Sequence, residues 1–217
     1  MTAAGRLIAI EGIDGCGKST QARVLAEALG AVLTHEPGAT ALGRSLRGLL
    51  LDPDGDAPSE RAEALLMAAD RAQHVAGVIR PALRAGRWVV TDRYSASTLA
   101  YQGYGRGLPL EDLRRLVAWA TEELTPDLQV LVDVDPAVAR GRAGTAPDRL
   151  ERLDASFHDR VRQGYLALAD AEPDRWAVVD GAGAVEVVAS AVRGAVERRL
   201  GAPAGQGVRG DEAAAGS

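Results

Sequence analysis

The sequence predicts an α/β fold built on a mostly parallel sheet, and two observations carry that expectation. Short apolar runs rich in Val, Ile and Leu recur along the chain, separated by long amphipathic stretches. The runs do not alternate apolar with polar residues, the pattern of strands covered on both faces. Composition agrees: 47% of the 217 residues are hydrophobic and 25% charged, which excludes a wholly disordered chain, a collagen-like repeat and a coiled-coil rod.

In chain order, LIAIE at 7–11 reads as the first strand and 18–29 as the helix after it. A short strand at 32–34 leads into a helix at 41–51. The segment LDPDGDAPSE (51–60) carries turn residues and reads as a loop, with Ser59 placed to cap the next helix. From 59 to 85, Ala64, Leu65, Ala68, Ala72, Val75 and Ile79 hold one face at helical spacing, until Pro81 bends or ends the regular part. WVVTD (88–92) is the third strand, 110–121 a helix, QVLVD (129–133) the fourth strand and 136–142 a short helix. Small residues and a proline break the chain at 142–148 before a helix at 150–171, a strand AVVD (177–180) and a last helix at 184–200. The Gly/Ala-rich remainder, 201–217, has almost no large apolar residue and is expected to be disordered. One folded domain over 1–200 plus a tail is the simplest organisation.

The formal charge of −5 argues against a broadly basic duplex-binding surface, so no nucleic-acid partner is expected, while a local basic pocket stays compatible. Cys16 is the one cysteine, which excludes an intrachain disulfide and a cysteine-rich zinc site and fits a reducing cytoplasm. No signal peptide is expected at the start, and no apolar run approaches the ~18 residues of a membrane span, so no membrane partner is expected.

The chemistry begins with Gly12-Ile13-Asp14-Gly15-Cys16-Gly17-Lys18-Ser19, which fits G-x-x-x-x-G-K-[ST] between a strand and a helix. Its glycines let successive backbone N–H groups turn inward toward phosphate oxygens. Lys18 brings positive charge to the β- and γ-phosphates, Ser19 can ligate Mg²⁺, and the helix N-terminus that includes Thr20 adds its dipole. The loop marks a nucleoside-triphosphate site, but does not separate kinases from ATPases or silent nucleotide-binding modules; base-reading motifs of the NKxD type are absent. Asp92-Arg93 stands at the C-terminal end of the third strand, where open parallel sheets bind ligands. An arginine there can clamp a phosphate with a bidentate fork, and the pair can equally be a structural ion pair.

From about residue 6 to 199 the chain resembles bacterial thymidylate kinases. The likeness rests on EGIDGCGKSTQ (11–21), THEPGATALGRSLRGLLL (34–51), LLMAADRAQHV (65–75), DRYSASTLAYQGYGRGL (92–108) and DRLERLDASFHDRVRQGYLALA (148–169). The resemblance implies a P-loop NTPase three-layer fold, a sheet of about five parallel strands flanked by helices, and a short mobile lid near 140–150. It implies transfer of phosphate from ATP to dTMP with Mg²⁺, in a homodimer. By position, Arg71 would hold a thymine oxygen, with Gln102 and Ser97 on the base from the other side. Arg47 and Arg93 would bind the monophosphate, Asp14 would meet the sugar 3′-hydroxyl, and Asp92 would support the Mg²⁺ and phosphate centre. Tyr101 and Tyr104 would line the sugar side. Arg140, Arg142 and Arg149 flank the break at 143–147, as a closing segment would have them. Members of the family place a catalytic arginine either in the phosphate loop or in the lid; with none between Asp14 and Lys18 this chain resembles the second kind, which implies Arg142 and Arg149 as lid residues.

Two departures bear on these roles. His35 stands where the family's REPGGT motif has arginine, and is assigned no catalytic role. Met67 stands where members commonly stack a phenylalanine on thymine; a thioether can pack on a ring face for about 0.3–1.5 kcal/mol. Cys16, at a helix N-terminus, is placed where a thiolate is favoured, against a plain role as a small loop filler. Another pyrimidine nucleotide or nucleoside kinase, or a catalytically silent nucleotide-binding module, are the alternative readings.

Overall fold

The computed structural model of the chain describes residues 5–142 and 147–201. Its five strands are β1 (Leu7–Glu11), β2 (Val32–His35), β3 (Val89–Asp92), β4 (Leu128–Asp133) and β5 (Trp176–Asp180), arranged β2-β3-β1-β4-β5. Every neighbouring pair is parallel. Along β1 the side chains divide between two clusters: Ile8 and Ile10 pack with Leu25, Val161 and Val192, whereas Leu7 and Ala9 pack with Val75 and Ile79. Apolar residues on both faces of one strand are why the runs read as continuous rather than alternating.

The helices are α1 (Lys18–Leu29), α2 (Ala41–Leu51), α3 (Glu60–His74), α4 (Arg80–Arg84), α5 (Ser95–Thr98), α6 (Leu110–Thr121), α7 (Pro136–Arg142), α8 (Ala155–Ala171) and α9 (Val185–Leu200). Ser59 caps α3 as expected, its hydroxyl accepting from the Ala62 N–H at 3.4 Å. Thr40 caps α2 in the same way from Gly43, which sets the helix that carries Arg47.

Three expectations need correction. The helix expected across 59–85 is not uniform: after His74 it widens into a π-helical stretch, Val75–Ile79, in which the Arg80 N–H reaches back to the Val75 carbonyl. Pro81 has no N–H to give and its ring crowds the preceding turn, so the helix changes pitch before it rather than stopping. The helix expected from 150 begins at Ala155, because Asp148 accepts the N–H groups of Leu150 and Glu151 in a turn and Asp154 caps the helix by accepting from Phe157. Residues 95–105, given no element from sequence, are helical: α5 runs into a second π-helical stretch, Leu99–Gly105. Of the expected lid break at 143–147, residues 143–146 lie outside the described residues, as do residues 202–217 of the tail expected at 201–217 to be disordered.

Parallel register places the chemistry. Ile10 of β1 and His35 of β2 both pair with Asp92 of β3, so three strand ends open side by side. The loop after β1, the Glu36-Pro37 segment after β2 and Arg93 after β3 therefore converge on one edge of the sheet, outside the C-terminal ends of its strands.

Candidate active site

Two clefts meet at that edge. The larger, about 1200 Å³, is lined by Gly15, Lys18, Ser19, His35, Asp92 and Glu151 among others. The second, about 590 Å³, is lined by Met67, Arg71, Ser97, Thr98, Tyr101 and Gln102 among others. Asp14, Glu36, Arg47, Arg93 and Asp148 line both, so the boundary between the clefts is itself charged.

In the first cleft the loop 12–19 takes the conformation its glycines permit. Gly15 and Gly17 have φ of 79° and 93°, a region that disfavours side chains, and nothing lies within 4 Å of where a Gly17 Cβ would stand. Lys18 is buried at the start of α1, its Nζ 3.0 Å from the Asp14 carboxylate. Ser19 is exposed on the same cleft. Asp92 Oδ1 is buried with no hydrogen-bond partner among the described residues. An unpartnered carboxylate oxygen and a hydroxyl on one cleft fit a hydrated Mg²⁺, which uses one or two protein oxygens and takes the rest from water and phosphate. Cys16 differs from the thiolate reading: it is packed in the core, and burial pushes its thiol up, so it is a small loop filler. Ile13 is likewise core.

Arg93 joins the clefts. It is a non-glycine residue at φ 73°, and Thr91 holds that turn by donating its hydroxyl to the Arg93 carbonyl at 2.8 Å. A left-handed residue costs roughly 1–3 kcal/mol. Here it swings the guanidinium back over the loop, where it donates to the Gly12 carbonyl, Asp14, Ser97, Tyr101 and Tyr165. Burial raises the Asp14 carboxyl, but Arg93 and Lys18 outweigh it and hold that carboxyl far below the usual range. Tyr101 completes the junction, donating to Asp14 at 2.7 Å under the Arg93 guanidinium. Arg47, exposed on α2, donates to the Pro37 carbonyl at the mouth of both clefts.

The second cleft contains the base-reading candidates. Arg71 is 2% exposed, so it is no solvated helix-face charge. Its Nε donates to Glu36, one terminal nitrogen to Thr98 and the other to the Tyr94 carbonyl. That leaves one N–H on each terminal nitrogen without a described partner. Glu36 is fixed from its other side by His74, itself bonded to Thr34. Gln102, also buried, donates its Nε2 to Glu63 at 2.9 Å, and Met67 is half-buried on the cleft wall.

Not every sequence candidate reaches the clefts. Tyr104, expected on the sugar side, instead packs on Gly164 of α8, where any Cβ would fall 2.7 Å from it. Arg142 donates to the carbonyls of Gly181 and Ala182 after β5, and Arg149 to the Leu50 carbonyl and Glu63, so neither lines a cleft. Sequence reasoning passed over Glu11, Glu63 and Tyr165. Glu11 is fully buried at the end of β1, accepting from the Tyr94 N–H, Ser97 and Tyr165. Burial pushes its carboxyl up to about 7 against the pull of Ser97 and Arg93. The one available signal was an acid closing an apolar strand immediately before the glycine loop.

Comparison with known proteins places this arrangement. The family model described as thymidylate kinase matches residues 10–192. That span takes in the residues lining both clefts, the C-terminal end of β1 and the whole of β2 to β5. The chain belongs to the thymidylate kinase family. A thymidylate kinase of Bifidobacterium longum strain DJO10A is 50% identical over 196 residues, covering 87% of this chain and 95% of the relative. One from Leifsonia xyli subsp. xyli is 50% identical over 204 residues, covering 90% and 96%. Among solved structures, the thymidylate kinase of Ehrlichia chaffeensis superposes with a TM-score of 0.73 at 32% identity, covering 89% of this chain and 99% of that one. The family's α/β fold on a parallel sheet is therefore the fold of this chain, as the resemblance implied.

Proposed function

We infer that the chain is an ATP-dependent phosphotransferase that converts dTMP to dTDP. The observation that carries this reading is the meeting of two clefts at Arg93 and Asp14: one has the phosphate loop, the other an arginine and an amide facing an apolar wall. Phosphoryl transfer is mostly positioning and charge neutralisation, which needs donor and acceptor nucleotides end to end. Backbone N–H groups of 13–20 cradle the ATP phosphates beside Lys18. Arg47 and Arg93 hold the dTMP phosphate, Arg93 exchanging one of its present partners for a phosphate oxygen. Asp14 and Tyr101 take the sugar side. Arg71 donates to a thymine carbonyl, Gln102 and Ser97 approach the same ring, and Met67 packs on its face.

Ser19 and Asp92 would hold Mg²⁺, which when bound neutralises phosphate charge. Arg142 and Arg149 act from a lid at about 140–150, leaving the carbonyls they now contact when it closes. The unit is a single domain over 1–200, working in the cytoplasm as a homodimer. Support for the dimer comes from Leu65 on α3 and Trp119 on α6, exposed at 58% and 81%. Among the described residues, no helix is long and apolar enough to cross a membrane. Incubation with ATP, Mg²⁺ and dTMP, with nucleotides resolved by ion-exchange chromatography, should yield equal dTDP and ADP. ADP without dTDP would overturn the reading.

A further inference from the structure

Glu63 is a fully buried acid on α3 that does not line either cleft. Its Oε1 accepts from Gln102 Nε2 at 2.9 Å and Arg106 Nε at 3.3 Å. Its Oε2 accepts from Arg106 at 2.9 Å and Arg149 at 3.4 Å. A carboxylate only accepts, so the end of the Gln102 amide that meets it must be the NH₂ end. Gln102 Oε1 takes no hydrogen bond from any described residue, and Gln102 lines the cleft beside Arg71. The acceptor end of the amide is thus the end left for a ligand.

We propose that Glu63 is a positioning residue that sets base selectivity by locking the Gln102 amide with its carbonyl toward the cleft. The inference rests on the dTMP kinase reading and deepens it. Thymine and uracil present an N–H between two carbonyls, whereas cytosine presents a bare ring nitrogen beside an amino group. A carbonyl at Gln102 accepts from the first and meets a lone pair in the second. An unrestrained amide could rotate half a turn and donate to cytosine instead, which erases the distinction. Glu63 forbids that rotation, because the turned amide would set carbonyl oxygen against carboxylate in a buried site. Arg106 donates to both oxygens of Glu63 and holds it in place, independently of the lid.

The test is kcat/KM for dTMP and for dCMP in wild type, Glu63→Gln, Gln102→Leu and the double variant. Glu63→Gln keeps the shape but offers either amide end, so the dTMP:dCMP ratio should fall about tenfold, with dCMP gaining relative to dTMP. A role confined to folding would lower both substrates together and leave the ratio in place. Gln102→Leu should reduce the ratio about equally, and the double variant no further, since Glu63 acts through Gln102. A ratio unchanged in Glu63→Gln, or a further tenfold fall on adding it to Gln102→Leu, overturns the proposal. If Glu63→Gln shows no cooperative thermal unfolding, Gln102→Leu decides alone: an unchanged ratio overturns it. Wild type that uses dCMP as well as dTMP would instead bring down the dTMP reading itself.

Discussion

Burial of Glu11 makes a signed prediction about stability and pH. Its carboxyl is pushed from 4.5 in the unfolded chain to about 7 in the folded one, chiefly by burial, which Ser97, Arg93, the Tyr94 N–H and Tyr165 only partly offset. Below 4.5 both states hold the proton and the contribution to stability is complete. As pH rises toward 7 the unfolded chain releases the proton while the folded chain keeps it, so stability falls; above 7 the loss is complete. At about 1.4 kcal/mol per pH unit, the interval gives a loss of about 3 kcal/mol. Glu11→Gln keeps the shape and cannot ionise. The stability of the variant minus that of wild type should therefore rise by about 3 kcal/mol across the interval and then level off. Urea unfolding between pH 4 and 8.5, followed by the fluorescence of buried Trp176, measures it. The matching separation in midpoint is on the order of 1 M urea. Other titrating groups are common to both proteins and cancel in the difference. Parallel curves would show that burial does not govern this carboxyl, and a gap that narrows with pH would give the wrong sign.

Other perturbations address the chemistry. Lys18→Ala should abolish turnover while leaving the thermal transition in place, and steady-state turnover within tenfold of wild type would remove residues 12–19 as the ATP site. Arg142→Ala and Arg149→Ala should each lower kcat much more than they raise the dTMP KM, because lid arginines act on charge in the transition state. Loss of dTMP affinity alone in both would refute the lid. Arg71→Ala should narrow the gap in kcat/KM between dTMP and dCMP, the buried donor being worth about 1–3 kcal/mol, and an unchanged gap would show that Arg71 does not read the base. Met67→Phe should leave the order of substrates unchanged.

What the sequence discloses depends on how local the physics is. The phosphate loop and the acid–arginine pair were legible because a backbone cradle needs glycines in one run and because ligands gather at parallel strand ends. The helix at 95–105 was not, since its glycines signal loop. In the fold Gly105 lies where a Cβ would fall 2.7 Å from the Phe157 ring, so close packing rather than turn geometry explains it. Tertiary contact overrides weak local propensity there. The π-helical stretch 75–79 keeps the same apolar face as the helix before it, so periodicity alone could not reveal it. Glu63 was hidden for another reason. Its partners Gln102, Arg106 and Arg149 lie 39, 43 and 86 residues away, and only the topology gathers them. The candidate lid showed the opposite bias, with arginines conspicuous in sequence that in this structure hold backbone carbonyls outside the clefts.

The most direct test of the account is kcat/KM for dTMP, dUMP, dCMP and UMP in one coupled ADP-release assay with ATP and Mg²⁺. In-plane hydrogen bonding by Arg71 and Gln102 separates thymine and uracil from cytosine, whereas the 5-methyl group adds only about 1–3 kcal/mol in an apolar pocket. With adaptable Met67 in place of a rigid ring, the methyl preference should fall at the low end of that range. The expected order is dTMP, then dUMP, then dCMP, with dUMP detectable and dCMP poorest of the deoxynucleotides. Phosphorylation of dCMP as efficient as that of dTMP would contradict it.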